Sequence, residues 1–127
     1  KTLVIDTENI LALNNYAYYL SLRKINLEKA KEMSFKSNVL APENATYQDT
    51  YAWVLYKLED YRLAKEWILK ALLNGGDKSA VIIEHYGDIL YQLGEERAAL
   101  LQWRKAAEVG LGSSFLNQKI QEEKLYE

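Results

Sequence analysis

The sequence predicts an all-α solenoid of antiparallel helix pairs, and three observations carry the prediction. Tyr16, Tyr51 and Tyr86 stand 35 residues apart, each followed at once by a small residue (Ala17, Ala52, Gly87) and four positions on by Leu20, Leu55 and Leu90. Residues four apart share a helix face, so each unit opens with a helix whose apolar stripe contains a small residue. Ala30, Ala64 and Ala99 are each followed seven residues later by Ser37, Ala71 and Ala106, two turns along a second helix. Turn residues fall between the stripes, at Lys24 to Asn26, Glu59 with Asp60, and Gly94 within units. Short side chains let two helices approach closely while larger neighbours interdigitate, which makes each unit a helical hairpin.

In chain order, the first hairpin is expected to pair helices near 8–22 and 27–40 and to end at Ala41-Pro42-Glu43-Asn44. The second pairs 45–58 with 60–73 and stops at Asn74-Gly75-Gly76-Asp77, where two glycines suit a helix terminus. The third pairs 79–93 with 95–109 and ends in Gly110 to Ser113. A last helix near 114–126 sets Phe115, Leu116 and Ile120 on one side, with Gln118, Lys119, Glu122, Glu123 and Lys124 around the rest. That pattern is the polar-faced cap which ends a repeat array. Lys1 to Asn9 aligns with Lys36 to Asn44 at the same 35-residue spacing, so the chain is expected to open inside the second helix of an earlier unit, as the C-terminal portion of a longer array. The units are then 1–9, the tail of a preceding repeat; 10–44, 45–79 and 80–112, three repeats; and 113–127, the cap.

A two-helix unit of this period resembles the tetratricopeptide repeat, with its W-x2-L-G-x2-Y helix, A-x3-F helix and closing proline. The third unit matches best, with Ile83-x2-Tyr86-Gly87-x2-Leu90 and Ala99-x3-Trp103. The second has Gln48-x2-Tyr51-Ala52-x2-Leu55 and Ala64-x3-Ile68. The first has Leu13-x2-Tyr16-Ala17-x2-Leu20 and Ala30-x3-Ser34, with one extra turn residue, and alone keeps the proline, as Pro42. The resemblance implies a right-handed superhelix whose first helices line a concave groove where protein segments bind.

Composition narrows the function classes. Sixteen basic against eighteen acidic side chains, with a formal charge of -2, leave no electrostatic footprint for nucleic acid. Pentatricopeptide repeats, which share the period and read RNA, are disfavoured on the same ground. With no cysteine, thiolate metal sites and cysteine nucleophiles are excluded. No apolar run reaches the roughly 18 residues of a membrane helix, so no insertion is expected in this segment, and the compartment stays unassigned.

If Tyr16, Ala17 and Leu20 face the core, the positions about 100° round the helix form the other stripe. These are Asn14, Tyr18 and Ser21, then Asp49, Trp53 and Tyr56, then Glu84, Asp88 and Tyr91, with Lys57, His85 and Gln92 at the margin. The expected peptide-binding groove is therefore Asn14, Tyr18, Asp49, Trp53, Tyr56, Glu84, Asp88 and Tyr91. Its aromatics offer rigid area with polar tips, and its three carboxylates favour a basic partner. The same tyrosines could instead pack between neighbouring first helices. Tyr16, Tyr51, Tyr86 and Trp103 belong to the core by their register, and Trp67 stands one position off it.

Some members of the resembled family grip acidic chaperone tails with lysine, arginine and asparagine on the first helices. Asn14 and Asn15 are the only fragments of that clamp, and Asp49, Glu84 and Asp88 would repel a carboxylate. His85 beside Glu84 and Asp88 could in principle form part of a metal site, but a lone histidine among helix carboxylates reads as a solvated face. Gly75-Gly76 lacks the context of a phosphate loop. No catalytic residue, metal or cofactor is assigned. The reading is a protein-interaction scaffold that binds a peptide or protein segment in its groove. Its rival is an architectural module that self-associates and leaves the groove inert.

Overall fold

A computed structural model describes residues 7–125. Six helices form three antiparallel hairpins: α1 (Thr7–Arg23) with α2 (Leu27–Leu40), α3 (Ala45–Lys57) with α4 (Tyr61–Leu73), and α5 (Ala80–Gln92) with α6 (Glu96–Val109). A short α7 (Leu116–Glu122) packs on the third hairpin, and one 3-10 turn, Gly76–Lys78, separates the second from the third. The tail expected over 1–9 lies, but for its last three positions, outside the described residues.

The turns repeat as closely as the helices. At each intra-hairpin turn, besides Asn26 (49°) in the longer first one, the same register position takes positive φ: Lys24 (55°), Glu59 (67°) and Gly94 (86°). The next backbone N–H reaches back to the carbonyl five residues earlier, as Ile25 to Leu20 (3.2 Å), Asp60 to Leu55 (2.9 Å) and Glu95 to Leu90 (2.9 Å). This is the Schellman closure of a helix C-terminus. Only the third copy has glycine, the residue without a Cβ penalty there. Asn44 and Ser79, also in register, cap α3 and α5 by accepting from the N–H groups of Tyr47 (3.0 Å) and Ile82 (3.3 Å).

Within the hairpins, Ala17, Ala52, Ala30, Ala64, Ala99, Ser37, Ala71 and Ala106 are completely buried, as the small-residue reading requires. Opposite them Ser34, Ile68 and Trp103 hold one register, all completely buried, and grow in size from the first repeat to the third. Trp103 fits because residue 87 is glycine: a Cβ there would lie 2.5 Å from the indole Cδ1 and Nε1. Burying side chains such as Ile68 and Leu55 contributes about 1.5–3 kcal/mol each.

Three expectations need correction. Tyr16 is 43% exposed, whereas Tyr51 is buried. Tyr51 packs against Phe35 of the preceding hairpin (5.7 Å between centroids) and Trp67 of its own (4.7 Å), and no described helix covers the corresponding side of α1. Helix α7 is shorter than 114–126, because Glu123 turns left-handed at φ 53°. Its faces also differ from the reading: Leu116 is buried, but so is Lys119, while Phe115 stays exposed.

Candidate functional site: the concave groove

Helices α1, α3 and α5 stand side by side, with α7 following α5, and together they border a cavity of about 420 Å³. Tyr18 and Leu22 come from α1, Trp53 and Lys57 from α3, and Val81, Glu84, His85 and Asp88 from α5. Ser113, Phe115 and Lys119 close the far side. An adjoining cavity of about 270 Å³ is bordered by Asn14, Tyr18, Asp49, Thr50 and Val81 among others.

The centre is aromatic. The Trp53 indole stacks on Tyr56 at 4.3 Å and on the His85 ring at 3.9 Å, with interplanar angles of 6° and 17°. Lys57 Nζ lies 5.1 Å from the Trp53 centroid, within cation–π range. Tyr56 is buried behind Trp53 and accepts a hydrogen bond from Gln92 (3.3 Å). Tyr91 stacks on Trp103 (5.8 Å), away from the larger cavity.

The electrostatics differ from the expectation of solvated carboxylates and a solvated histidine. Asp49, Glu84, Asp88 and His85 are all buried. His85 Nδ1 lies 2.8 Å from Asp49 Oδ1, tying α5 to α3. Lys119 Nζ donates to Glu84 Oε2 (2.6 Å) and to both Asp88 oxygens (2.9 and 3.1 Å), tying α7 to α5. Ser113 also donates to Glu84 through its N–H (2.6 Å) and its hydroxyl, and Trp103 Nε1 donates to Asp88 Oδ1 (3.0 Å). Burying these groups unpaired would cost several kcal/mol per charge, and the pairing offsets that cost.

Their proton affinities follow from the same contacts. Burial pushes Asp88 up, to about 6, because Lys119 offsets only part of the desolvation. Burial also pushes Glu84 up, but hydrogen bonds from Lys119 and Ser113 more than compensate and hold it below its ordinary value. For His85, burial favours the neutral ring, yet the neighbouring carboxylates, Asp49 first, raise its affinity above the ordinary value.

No protein-family model matches the chain, and no curated protein does. Solved structures are similar to it. The first TPR domain of Spaghetti (RPAP3), bound to the HSP90 peptide SRMEEVD, matches with a TM-score of 0.81 at 12% identity, over 96% of this chain and 95% of that one. The Sgt2 TPR domain from Aspergillus fumigatus matches at 0.79 and 17% identity, over 90% and 76% of the two chains. The chain has the tetratricopeptide-repeat fold. YrrB, a TPR protein with an unusual peptide-binding site, matches at 0.70 and 26% identity, over 93% of this chain and 56% of that one.

On this TPR scaffold, Tyr18, Trp53, Glu84 and Asp88 of the expected groove meet on the larger cavity. Asn14 and Asp49 meet beside it with Tyr18, whereas Tyr56 and Tyr91 serve as packing behind other rings. The residues of the larger cavity not foreseen in the groove are Leu22, Val81, Ser113, Phe115 and Lys119. One signal was present: Asn14, Asp49, Glu84 and Lys119 stand successively 35 residues apart, so Lys119 is the fourth member of the TPR groove stripe.

Proposed function

We propose that the chain is a binding module for a protein segment, held in the concave groove by an apolar anchor side chain seated against Trp53 and His85. The observation that carries this reading is the cavity in which the buried Trp53–His85 stack, 6% and 8% exposed, is bordered by the more open Tyr18, Leu22, Val81 and Phe115. Rigid aromatic surface in a partly enclosed groove is where binding energy concentrates. Peptide binding by the RPAP3 domain on the same fold supports the assignment.

The carboxylates that suggested a basic partner are already committed to His85 and Lys119, so the exposed part of the groove selects first for apolar shape. A terminal carboxylate of the HSP90-peptide kind is not the ligand proposed. His85 and Lys119 each face a carboxylate of the chain itself and do not converge on a ligand anion.

The test is selection from a peptide-display library followed by titration. Trp53→Ala combined with Asp49→Lys should weaken a selected peptide by about 2 kcal/mol, roughly thirtyfold. Unchanged capture by the double variant would remove the groove assignment. The architectural reading draws on a different surface, the stacked and exposed Tyr16–Tyr19 pair on α1 (6.3 Å between centroids). Light scattering that showed dimers dissociated by Tyr16→Lys would favour it.

A further inference from the structure

The larger cavity of the groove is closed on one side by a segment that lies outside the three hairpins. A volume of about 420 Å³ lies toward the low end of pockets that enclose a drug-sized ligand, room for one or two side chains. The wall made by Ser113, Phe115 and Lys119 belongs to α7 and its approach. That helix has seven residues and no side-chain N-cap, and among the described residues it packs on α6 without a hairpin partner of its own. The approach is irregular backbone from Gly110 to Ser113, with Leu111 95% exposed.

This segment holds the groove face of α5 as a ligand would. It supplies a backbone N–H and a hydroxyl to Glu84, an ammonium to Glu84 and Asp88, and an aromatic ring to the cavity rim. We infer that Ser113–Lys119 is a displaceable strap, an internal ligand on the third-repeat end of the groove, and that a partner segment bearing a lysine takes its place on Glu84 and Asp88. The inference rests on the groove reading above and adds its regulation. With the strap docked, the groove admits an anchor side chain and shows little net charge. With the strap released, two carboxylates on one face of α5 are uncovered and the groove lengthens toward α6. Partner binding and α7 docking then compete, and each weakens the other by the same factor.

The experiment uses the full chain. The probe is a labelled peptide of residues 111–125, LGSSFLNQKIQEEKL, added in trans. The wild-type protein, its own strap in place, should bind it about tenfold or more weakly than Lys119→Met does. The same probe carrying Lys119→Met should lose that gain. Gly112→Val is a second release variant, since a Cβ at 112 collides with the Glu84 carboxylate and the Leu116 side chain. Should Lys119→Met fail to fold by circular dichroism, Gly112→Val decides the comparison. Hydrogen exchange on the unmodified protein gives an independent reading. Amides of Lys119 and Ile120 should exchange through a local opening, about a hundredfold faster than those of Leu55 and Leu90.

Equal probe affinity for wild-type and released chains, or α7 amides that exchange only with the core, would overturn the strap. Selected peptides that still depend on Trp53 under those results would leave the groove reading standing without it. Loss of Trp53 dependence with intact strap competition would overturn the anchor assignment alone.

Discussion

Gly87→Ala should destabilise the protein, although alanine is the better helix former and the equivalent residues in the other repeats are alanines. Its new methyl would sit 2.5 Å from Cδ1 and Nε1 of Trp103 and 3.1 Å from the Ala99 carbonyl oxygen. Trp103 is completely buried and cannot swing clear without leaving its site. Overpacking of this kind costs about 1–3 kcal/mol. Displacing the indole also strains its 3.0 Å bond to Asp88, a contact to a charged group worth about 1.5–3 kcal/mol. The helix-propensity gain returns about 1 kcal/mol. The net expectation is a loss of about 2–3 kcal/mol, read as a fall of roughly 8–12 °C in Tm for a chain of this size. The assay is urea and thermal denaturation followed by circular dichroism. The sharper comparison is Gly87→Ala with Trp103→Ile, which recreates the Ala52 and Ile68 pairing of the second repeat. The double variant should recover at least about 1 kcal/mol relative to the sum of the single costs. A neutral Gly87→Ala, or strictly additive costs, would refute the claim that Trp103 dictates the glycine.

Two further predictions concern the turns and pH. Lys24→Gly and Glu59→Gly place glycine at exposed positive-φ positions equivalent to Gly94, and each should stabilise by about 0.5–1 kcal/mol in the same denaturation assay; a loss at both positions would contradict the Schellman assignment. Stability should be greatest at mildly acidic pH and fall toward neutrality. Asp88 moves from 3.8 to about 6 on folding, so the folded state binds the extra proton and up to about 3 kcal/mol is lost as pH rises through that interval. His85, raised above 6.5, adds stability that is complete below 6.5 and is lost as pH rises through its folded value. Glu84, held below 4.5, contributes above that value and loses its contribution as pH falls through the folded one. Urea titrations at stepped pH would check the slope, which Asp88→Asn should flatten between about pH 4 and 6; stability that rose from pH 5 to 7 would contradict the assignment.

The hairpins and their register were legible because a 35-residue period repeats three times, and small residues at helix crossings have few substitutes. The stripe carrying Asn14, Asp49 and Glu84 was legible as a face, since helical periodicity alone defines it. What covers that face was not. Periodicity says which residues share a side of a helix, but the cover depends on how successive helices are offset, so Tyr16 and Tyr51 share a register and differ in exposure. The buried charges were the hardest. Isolated carboxylates, histidine and lysine belong in water, and only a partner on another helix reverses that expectation. For Glu84 and Lys119 that partner lies 35 residues away, in a cap whose composition reads as solvated.

Stability alone does not account for the ionic contacts that link successive groove helices, Asp49 with His85 and then Glu84 and Asp88 with Lys119. A buried ion pair is worth little more than well-packed apolar residues of the same volume, while removing one partner costs about 3–5 kcal/mol because the other is left uncompensated. The arrangement therefore exacts a penalty wherever one half is buried without the other, without adding much when they are joined. Its second half lies between the last helix and the groove, so undocking α7 opens Glu84 and Asp88 to water, and the penalty falls on a partner that covers them again without an ammonium. A ligand able to supply an ammonium removes that penalty, and one that offers only apolar contacts does not. On the strap inference, the chemistry with which Ser113–Lys119 covers α5 is the chemistry a competing segment carries, and the lysine requirement follows from the contacts of Lys119 to Glu84 and Asp88.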